Sequence, residues 1–175
     1  MAELLVVTGP PGAGKSTVGA LVVQAFEPAA LVPGDAFFAF WTRGAVAPWL
    51  PEAAQQNAVV LRAAGAAVGA YVAGGCSVVY DGVLGPWLLP AFVQAAAVPE
   101  LHYAVVLPPL STCLQRVAGR TGHGFDDLAA AEHMHAEFAR AEVEDRHVLR
   151  TTDEGSDEVA RLVLERWQAG GLRVG

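Results

Sequence analysis

Lysine is almost missing from this chain: Lys15 is the only one in 175 residues. With 11 lysines and arginines against 18 acidic residues and a net charge of −7, no basic run is long enough to follow a nucleic-acid backbone, which excludes nucleic acid as the expected partner. Cysteine is nearly as scarce. Cys76 and Cys113 form no Cys-x-x-Cys pair, which argues against a zinc site or a disulfide scaffold and fits a reducing cytoplasm. No signal peptide precedes the first apolar run. The long apolar stretch from Val59 to Val79 is broken by Arg62 and several glycines, so it does not read as a membrane span. The five histidines include no His-x-x-x-His pair. His133 and His135, two apart on a helix, point to different sides, which argues against a metal site despite Glu132 and Glu137 nearby. Internal repeats are absent, and the only compositional bias is alanine.

What is present points to one domain spanning 1–175, because 53% hydrophobic residues over this length supply one full core. Continuous apolar runs at Leu4 to Thr8, Ala30 to Pro33, Ser77 to Tyr80, His102 to Leu107 and His147 to Thr151 predict five strands covered on both faces. Helical patterns alternate with them. One is expected from Pro51 to the cap at Gly74-Gly75, another from near Pro86, a third with Leu110, Leu114 and Val117 buried, and a fourth with Leu128, Ala131, His135 and Phe138 buried. A last helix, capped by Ser156, buries Val159, Leu162, Val163 and Trp167. The expected fold is α/β, a three-layer arrangement of a parallel sheet flanked by helices.

The first strand runs directly into Gly9-Pro10-Pro11-Gly12-Ala13-Gly14-Lys15-Ser16-Thr17. A strand, a glycine-rich turn and a helix start in this order form a phosphate-binding loop: the glycines let backbone N–H groups converge on an anion, and the helix adds its positive end. Lys15 is expected to reach the β and γ phosphates of a nucleoside triphosphate, and Ser16 to hold Mg²⁺. Ligands in such sheets gather at the carboxyl ends of the strands, where Asp35 follows the second run and Asp81 ends the third. A carboxylate there can take a proton from an attacking hydroxyl, and a second can orient Mg²⁺ through water. Either can also serve as a simple turn or helix cap. Arg116 and Arg120 stand one helical turn apart beside the glycine-punctuated segment 121–126, which reads as a small lid over approximately 116–140.

These residues together resemble the small P-loop kinases that phosphorylate hydroxyls on small molecules, among them shikimate kinase, gluconate kinase, chloramphenicol phosphotransferase and the tunicamycin-resistance proteins. The resemblance spans nearly the whole chain and rests most specifically on the phosphate loop. It implies a P-loop NTPase fold, ATP and Mg²⁺ as cofactors, and Asp35 as the group that binds the acceptor hydroxyl and acts as base. It also implies that Arg116 and Arg120 neutralise charge on the transferred phosphoryl group and stack on adenine. Asp81-Gly82 continues as Val83-Leu84 without the arginine of adenylate-kinase-like enzymes, which counts against a nucleotide acceptor, and the gluconate-kinase His-Pro is missing. The acceptor pocket is expected in the segment after Asp35, from Phe37, Phe38, Phe40, Trp41, Trp49 and Asn57, with Trp87 closing it from the Asp81 side; Arg43 and Arg62 could also bind an anionic or hydroxylated acceptor, Asn57 being preferred. Phe38, Trp41, Asn57, Asp81 and Trp87 are the expected acceptor contacts besides Asp35, although an aromatic cluster can equally be core.

The expectation is a cytoplasmic monomer or homodimer acting on an antibiotic or sugar-like acceptor. Two rivals remain open. One is a zeta-toxin-like kinase of nucleotide sugars; the other is a nucleotide-dependent switch or partner-binding ATPase without a small-molecule acceptor. Against the second stand the lack of Asn-Lys-x-Asp for guanine and of an Asp-Glu pair ending an apolar strand.

Overall fold

Five strands form the middle layer of this computed structural model, which describes residues 2–119, 125–152 and 154–174. They are β1 (Leu4–Thr8), β2 (Ala29–Pro33), β3 (Ser77–Asp81), β4 (Leu101–Val106) and β5 (Val148–Leu149), all parallel, in the order β2-β3-β1-β4-β5. The chain leaves β1 toward one side of the sheet for β2 and β3 and returns to its other side for β4. A crevice therefore opens at the carboxyl end of β1, where α/β sheets take their ligands.

Alternation along β1 divides the core in two. Leu4 and Val6 pack with Leu61, Ala64 and Val68 of α3 (Ala54–Ala73) and Phe92 of α4 (Leu89–Ala96). Leu5 and Val7 pack on the opposite face with Val18 and Val22 of α1 (Lys15–Val22) and with Val159 and Val163 of α7 (Ser156–Gln168). All four β1 side chains are almost wholly buried, each worth about 1.5–3 kcal/mol of transfer free energy. The remaining helices are α2 (Asp35–Ala39), α5 (Leu110–Ala118) and α6 (Leu128–Arg140). No helix among the described residues is long and apolar enough to cross a membrane.

The sequence reading places the strands and long helices correctly and errs at their edges. β5 is two residues rather than five: it lies at the sheet edge, pairs only with Val105 and Val106, and His147 belongs to the preceding 3-10 turn. Gly155, not Ser156, holds the N-cap of α7, and Ser156 is its first helical residue. In α5 the buried positions are Cys113 and Val117, while Leu110 and Leu114 are half-buried. In α6 Ala130, Ala131 and Phe138 are buried and Leu128 is exposed.

At the end of the sheet remote from the phosphate loop, His102 is 3% exposed, with Nε2 3.2 Å from Oε2 of Glu3 and 3.2 Å from Oε1 of Glu100. Burial lowers the pKa of His102 below its ordinary 6.5, outweighing Glu3 and Glu100, which raise it, while Arg173 lowers it further. Burial likewise lowers His147, whose Nδ1 lies 2.9 Å from the Tyr103 carbonyl oxygen. The unfolded chain therefore binds protons more readily than the folded one just below pH 6.5. Stability is expected to be complete above that pH and to fall as pH drops from about 7 toward the lower folded-state values. Urea midpoints from pH 8 to 5 should show this decline, and His102→Gln should flatten it; an unchanged slope in that variant would remove His102 from the account.

Candidate active site

The loop after β1 is shaped by contacts that admit only glycine. A Cβ at Gly9 would stand 2.2 Å from the Val106 carbonyl oxygen, and one at Gly12 (φ +82°) 2.3 Å from that of Cys113. The loop is thus pressed between the end of β4 and the backbone of α5. Gly14 is left-handed at φ 90° and caps α1, where Val18 N–H donates to its carbonyl. Lys15 opens α1 and is 7% exposed, while Ser16 and Thr17 face solvent at the helix N-terminus. Ala13 N–H donates to the carbonyl of Pro10, closing the turn.

Arg116 is brought to this loop by α5. Its Nη1 lies 3.3 Å from the Gly12 carbonyl oxygen and 3.4 Å from that of Ala13, so the guanidinium sits on the rim of the loop. Helix α5 runs to Ala118 with Gly119 as its C-cap; Arg120 and residues 121–124 of the expected lid lie outside the described residues.

Asp81 ends β3, and Asp35 follows the end of the neighbouring β2 by two residues, on the same side of β1. Asp81 closes β3 in register with Val7 of β1 and Pro33 of β2 and is 6% exposed. Asp35 is the first residue of α2 and is exposed. The Gly34 N–H donates to the Asp81 carbonyl oxygen at 2.6 Å, locking the two strand ends together. Next to Asp81 in β3 and against Gly34 lies Tyr80, which the sequence reading treats only as a strand residue. Its hydroxyl fills the place a Cβ of Gly34 would take, at 2.3 Å. Burial first, then Asp35, then Asp81, push the Tyr80 phenol well above its ordinary pKa. Both carboxylates thus act on one buried hydroxyl. A phenol immediately before Asp81, in an otherwise aliphatic strand, is the signal that marks it.

The expected acceptor residues divide. Phe38 is half-buried and lies one helical turn from Asp35. Trp87 packs on Phe138 of α6, ring centroids 5.4 Å apart. Trp41 lies instead in a groove between α2 and α3, with Phe37 and Phe40. Asn57 Nδ2 donates to the Pro48 carbonyl oxygen at 2.7 Å, and Gln56 grips Val46 with both amide atoms, accepting from its N–H at 2.9 Å and donating to its carbonyl at 2.8 Å. These two side chains brace the loop that carries Trp49, whose ring meets Phe125 edge-on at 5.0 Å. Two tryptophans from this side therefore meet phenylalanines in and just ahead of α6, and His135 of α6 donates to the Pro108 carbonyl at 2.8 Å. Gln56→Leu should cost about 1–2 kcal/mol in urea unfolding, because it strands a half-buried N–H and C=O, and should raise proteolysis near Val46.

A sequence model of the AAA domain matches residues 4–142, most of the chain. The chain belongs to this AAA domain family. Comparison with curated protein sequences finds no match. Many solved structures share the fold, among them the following three. A sugar kinase from Janibacter sp. HTCC2649, unliganded, superposes with a TM-score of 0.71 at 17% identity, covering 96% of this chain and 95% of that one. The APS kinase CysC of Mycobacterium tuberculosis, in complex with AMPPNP and APS, gives 0.69 at 18% identity, covering 95% and 98%. The tunicamycin resistance protein of Deinococcus radiodurans gives 0.64 at 16% identity, covering 97% and 96%. This family member therefore has the P-loop kinase fold over nearly its whole length. A sugar kinase and an APS kinase are named for different acceptors, so the fold leaves the acceptor of this protein open.

Proposed function

We propose that this protein is an ATP-dependent phosphotransferase that passes the γ-phosphoryl group to a hydroxyl of a small molecule. The observation that carries the reading is that Asp81 ends β3 and Asp35 follows the end of β2 by two residues, both at the carboxyl edge of the sheet from which the phosphate loop leaves β1. Phosphoryl transfer asks little covalent chemistry of the protein; it needs positioning and charge compensation. The loop amides and Lys15 hold the β and γ phosphates. Asp35, exposed at the start of α2, accepts the proton of the acceptor hydroxyl as that oxygen attacks phosphorus. Arg116 needs only a shift from the loop-rim carbonyls of Gly12 and Ala13 to meet the negative charge on the transferred group.

The Ser16 hydroxyl and the Asp81 carboxylate form a hard-oxygen donor set of the kind Mg²⁺ takes, with Asp81 acting through the ion's water shell. Ser16 and Asp81 would hold the ion, which would supply charge neutralisation to the phosphates during transfer. The acceptor rests on the Asp35 side of the crevice, near Phe38 and within reach of Trp87. A sugar-like or antibiotic hydroxyl is the preferred acceptor.

The test is Mg²⁺-ATP consumption against a panel of sugars, aminoglycosides, other hydroxylated antibiotics, nucleosides and gluconate, with Lys15→Met as the blank. Turnover that appears only with an acceptor, and is absent from the blank, supports the kinase. Slow hydrolysis indifferent to every acceptor would favour the nucleotide-dependent switch.

A further inference from the structure

Beside the crevice, a groove of about 410 Å³ runs between α2 and α3. Phe37, Phe40 and Trp41 line one wall and Val59, Val60 and Ala63 the other. Positions 37, 40 and 41 share one face of the α2 curl, whereas Asp35 falls roughly 160° around the axis from Phe37. The groove therefore turns away from the carboxylate end of α2 and is distinct from the proposed acceptor position. Phe40 is 73% exposed, Trp41 38% and Val59 39%, a contiguous apolar surface of the kind that marks a binding site. The wall is already organised, since the rings of Phe37 and Phe40 meet edge to face at 5.6 Å. Thr42 and Arg43 complete the lining. Among the described residues, Arg43 makes no hydrogen bond or ion pair, so an aromatic groove ends at an uncompensated guanidinium on a protein whose net charge is −7.

We propose that this groove is a second ligand site, taking a small aromatic anion whose ring lies against Phe40 and Trp41 and whose acidic group pairs with Arg43. The volume admits a ligand of two or three fused or linked rings, and the chemistry asks for one negative charge at one end. Because α2 carries Asp35 on one face and this wall on the other, a ligand here bears on the helix that positions the proposed base.

The probe is 1-anilinonaphthalene-8-sulfonate, titrated by its fluorescence onto the intact protein. Saturable one-to-one binding is expected. Val59→Glu, on an exposed position, should weaken it about tenfold or more by placing a charge in the apolar wall. Arg43→Gln should weaken it about two- to fivefold and remove its dependence on salt, while thermal midpoints of both variants stay near the parent value. Saturating Mg²⁺-AMPPNP and Asp35→Asn should leave the dye bound, which separates this site from the crevice and lets it stand if the phosphotransferase reading fails. Binding that does not saturate, that ignores both variants, or that the nucleotide displaces would overturn the proposal. So would a wild-type dimer that Val59→Glu converts to monomer, since the face would then belong to a second copy of the chain.

Discussion

Asp35→Asn is expected to slow acceptor phosphorylation about 10²–10⁴-fold while leaving Mg²⁺-ATP affinity within a few-fold of the parent. The change keeps the size and the hydrogen-bonding reach of the side chain and removes only its capacity to take a proton. Asp35 is exposed and its backbone opens a five-residue helix, so the substitution removes no core contact and the fold should survive it. Asp81→Asn serves as the contrast. Asp81 is 6% exposed at the end of β3, beside β1, and its replacement should raise the Mg²⁺ concentration needed for half-maximal rate. Single-turnover rates and calorimetric nucleotide binding on the two variants separate the roles. Equal losses of nucleotide affinity in both would assign Asp35 to the phosphate site and remove it as the base.

Gly12→Ala should abolish useful nucleotide binding and unfold more readily by about 2–5 kcal/mol. Two costs add: an alanine at φ +82° is strained by about 1–2 kcal/mol, and its methyl would stand 2.3 Å from the carbonyl oxygen and 2.8 Å from the Cα of Cys113, overpacking worth about 1–3 kcal/mol. The clash is with backbone, so no side chain can swing aside. Loop and α5 must separate, and Arg116 leaves the carbonyls of Gly12 and Ala13 with them. A displacement on the order of 1 Å in a positioning loop costs about 100-fold in function. Gly14→Ala is the milder partner: its Cβ would meet only Nη1 of Arg116, at 3.4 Å, so the left-handed backbone alone opposes it. Urea unfolding and AMPPNP titration should rank Gly12→Ala well below Gly14→Ala in both respects.

Much of this was legible in the chain because local chemistry dictated it. The phosphate loop announces itself through residue types whose spacing has one geometric use, and runs such as Leu4-Leu5-Val6-Val7 are apolar at every position because helices cover both faces of β1. Asp35 and Asp81 were found by asking which polar residues end a strand, a question that topology answers once the sheet is parallel. What escaped depended on contacts distant in sequence. The buried face of α5 pairs the expected Val117 with Cys113 because Gly12, about a hundred residues earlier, presses on the Cys113 backbone; apolar spacing alone favoured Leu110 and Leu114 in its place. Tyr80 became noticeable only when β2 and β3 set two carboxylates around it. Asn57 read as a ligand for substrate; its Nδ2 is taken up by Pro48 while its Oδ1 is buried without a hydrogen-bond partner among the described residues, and the same helical turn spends Gln56 on Val46. Trp41 followed Asp35 closely enough to be counted with it; it lies past the end of α2, in the groove lined by Val59, Val60 and Ala63.

The scarcity of lysine has a practical side. Lys15 is the sole side-chain amine, and it lies 7% exposed inside the phosphate loop. Apart from the α-amino group, any amine-directed reagent can mark this protein in one place only, and slowly. The rate of that single modification, followed by intact mass, is therefore a direct occupancy gauge for the nucleotide site, requiring no engineered label and no knowledge of the acceptor.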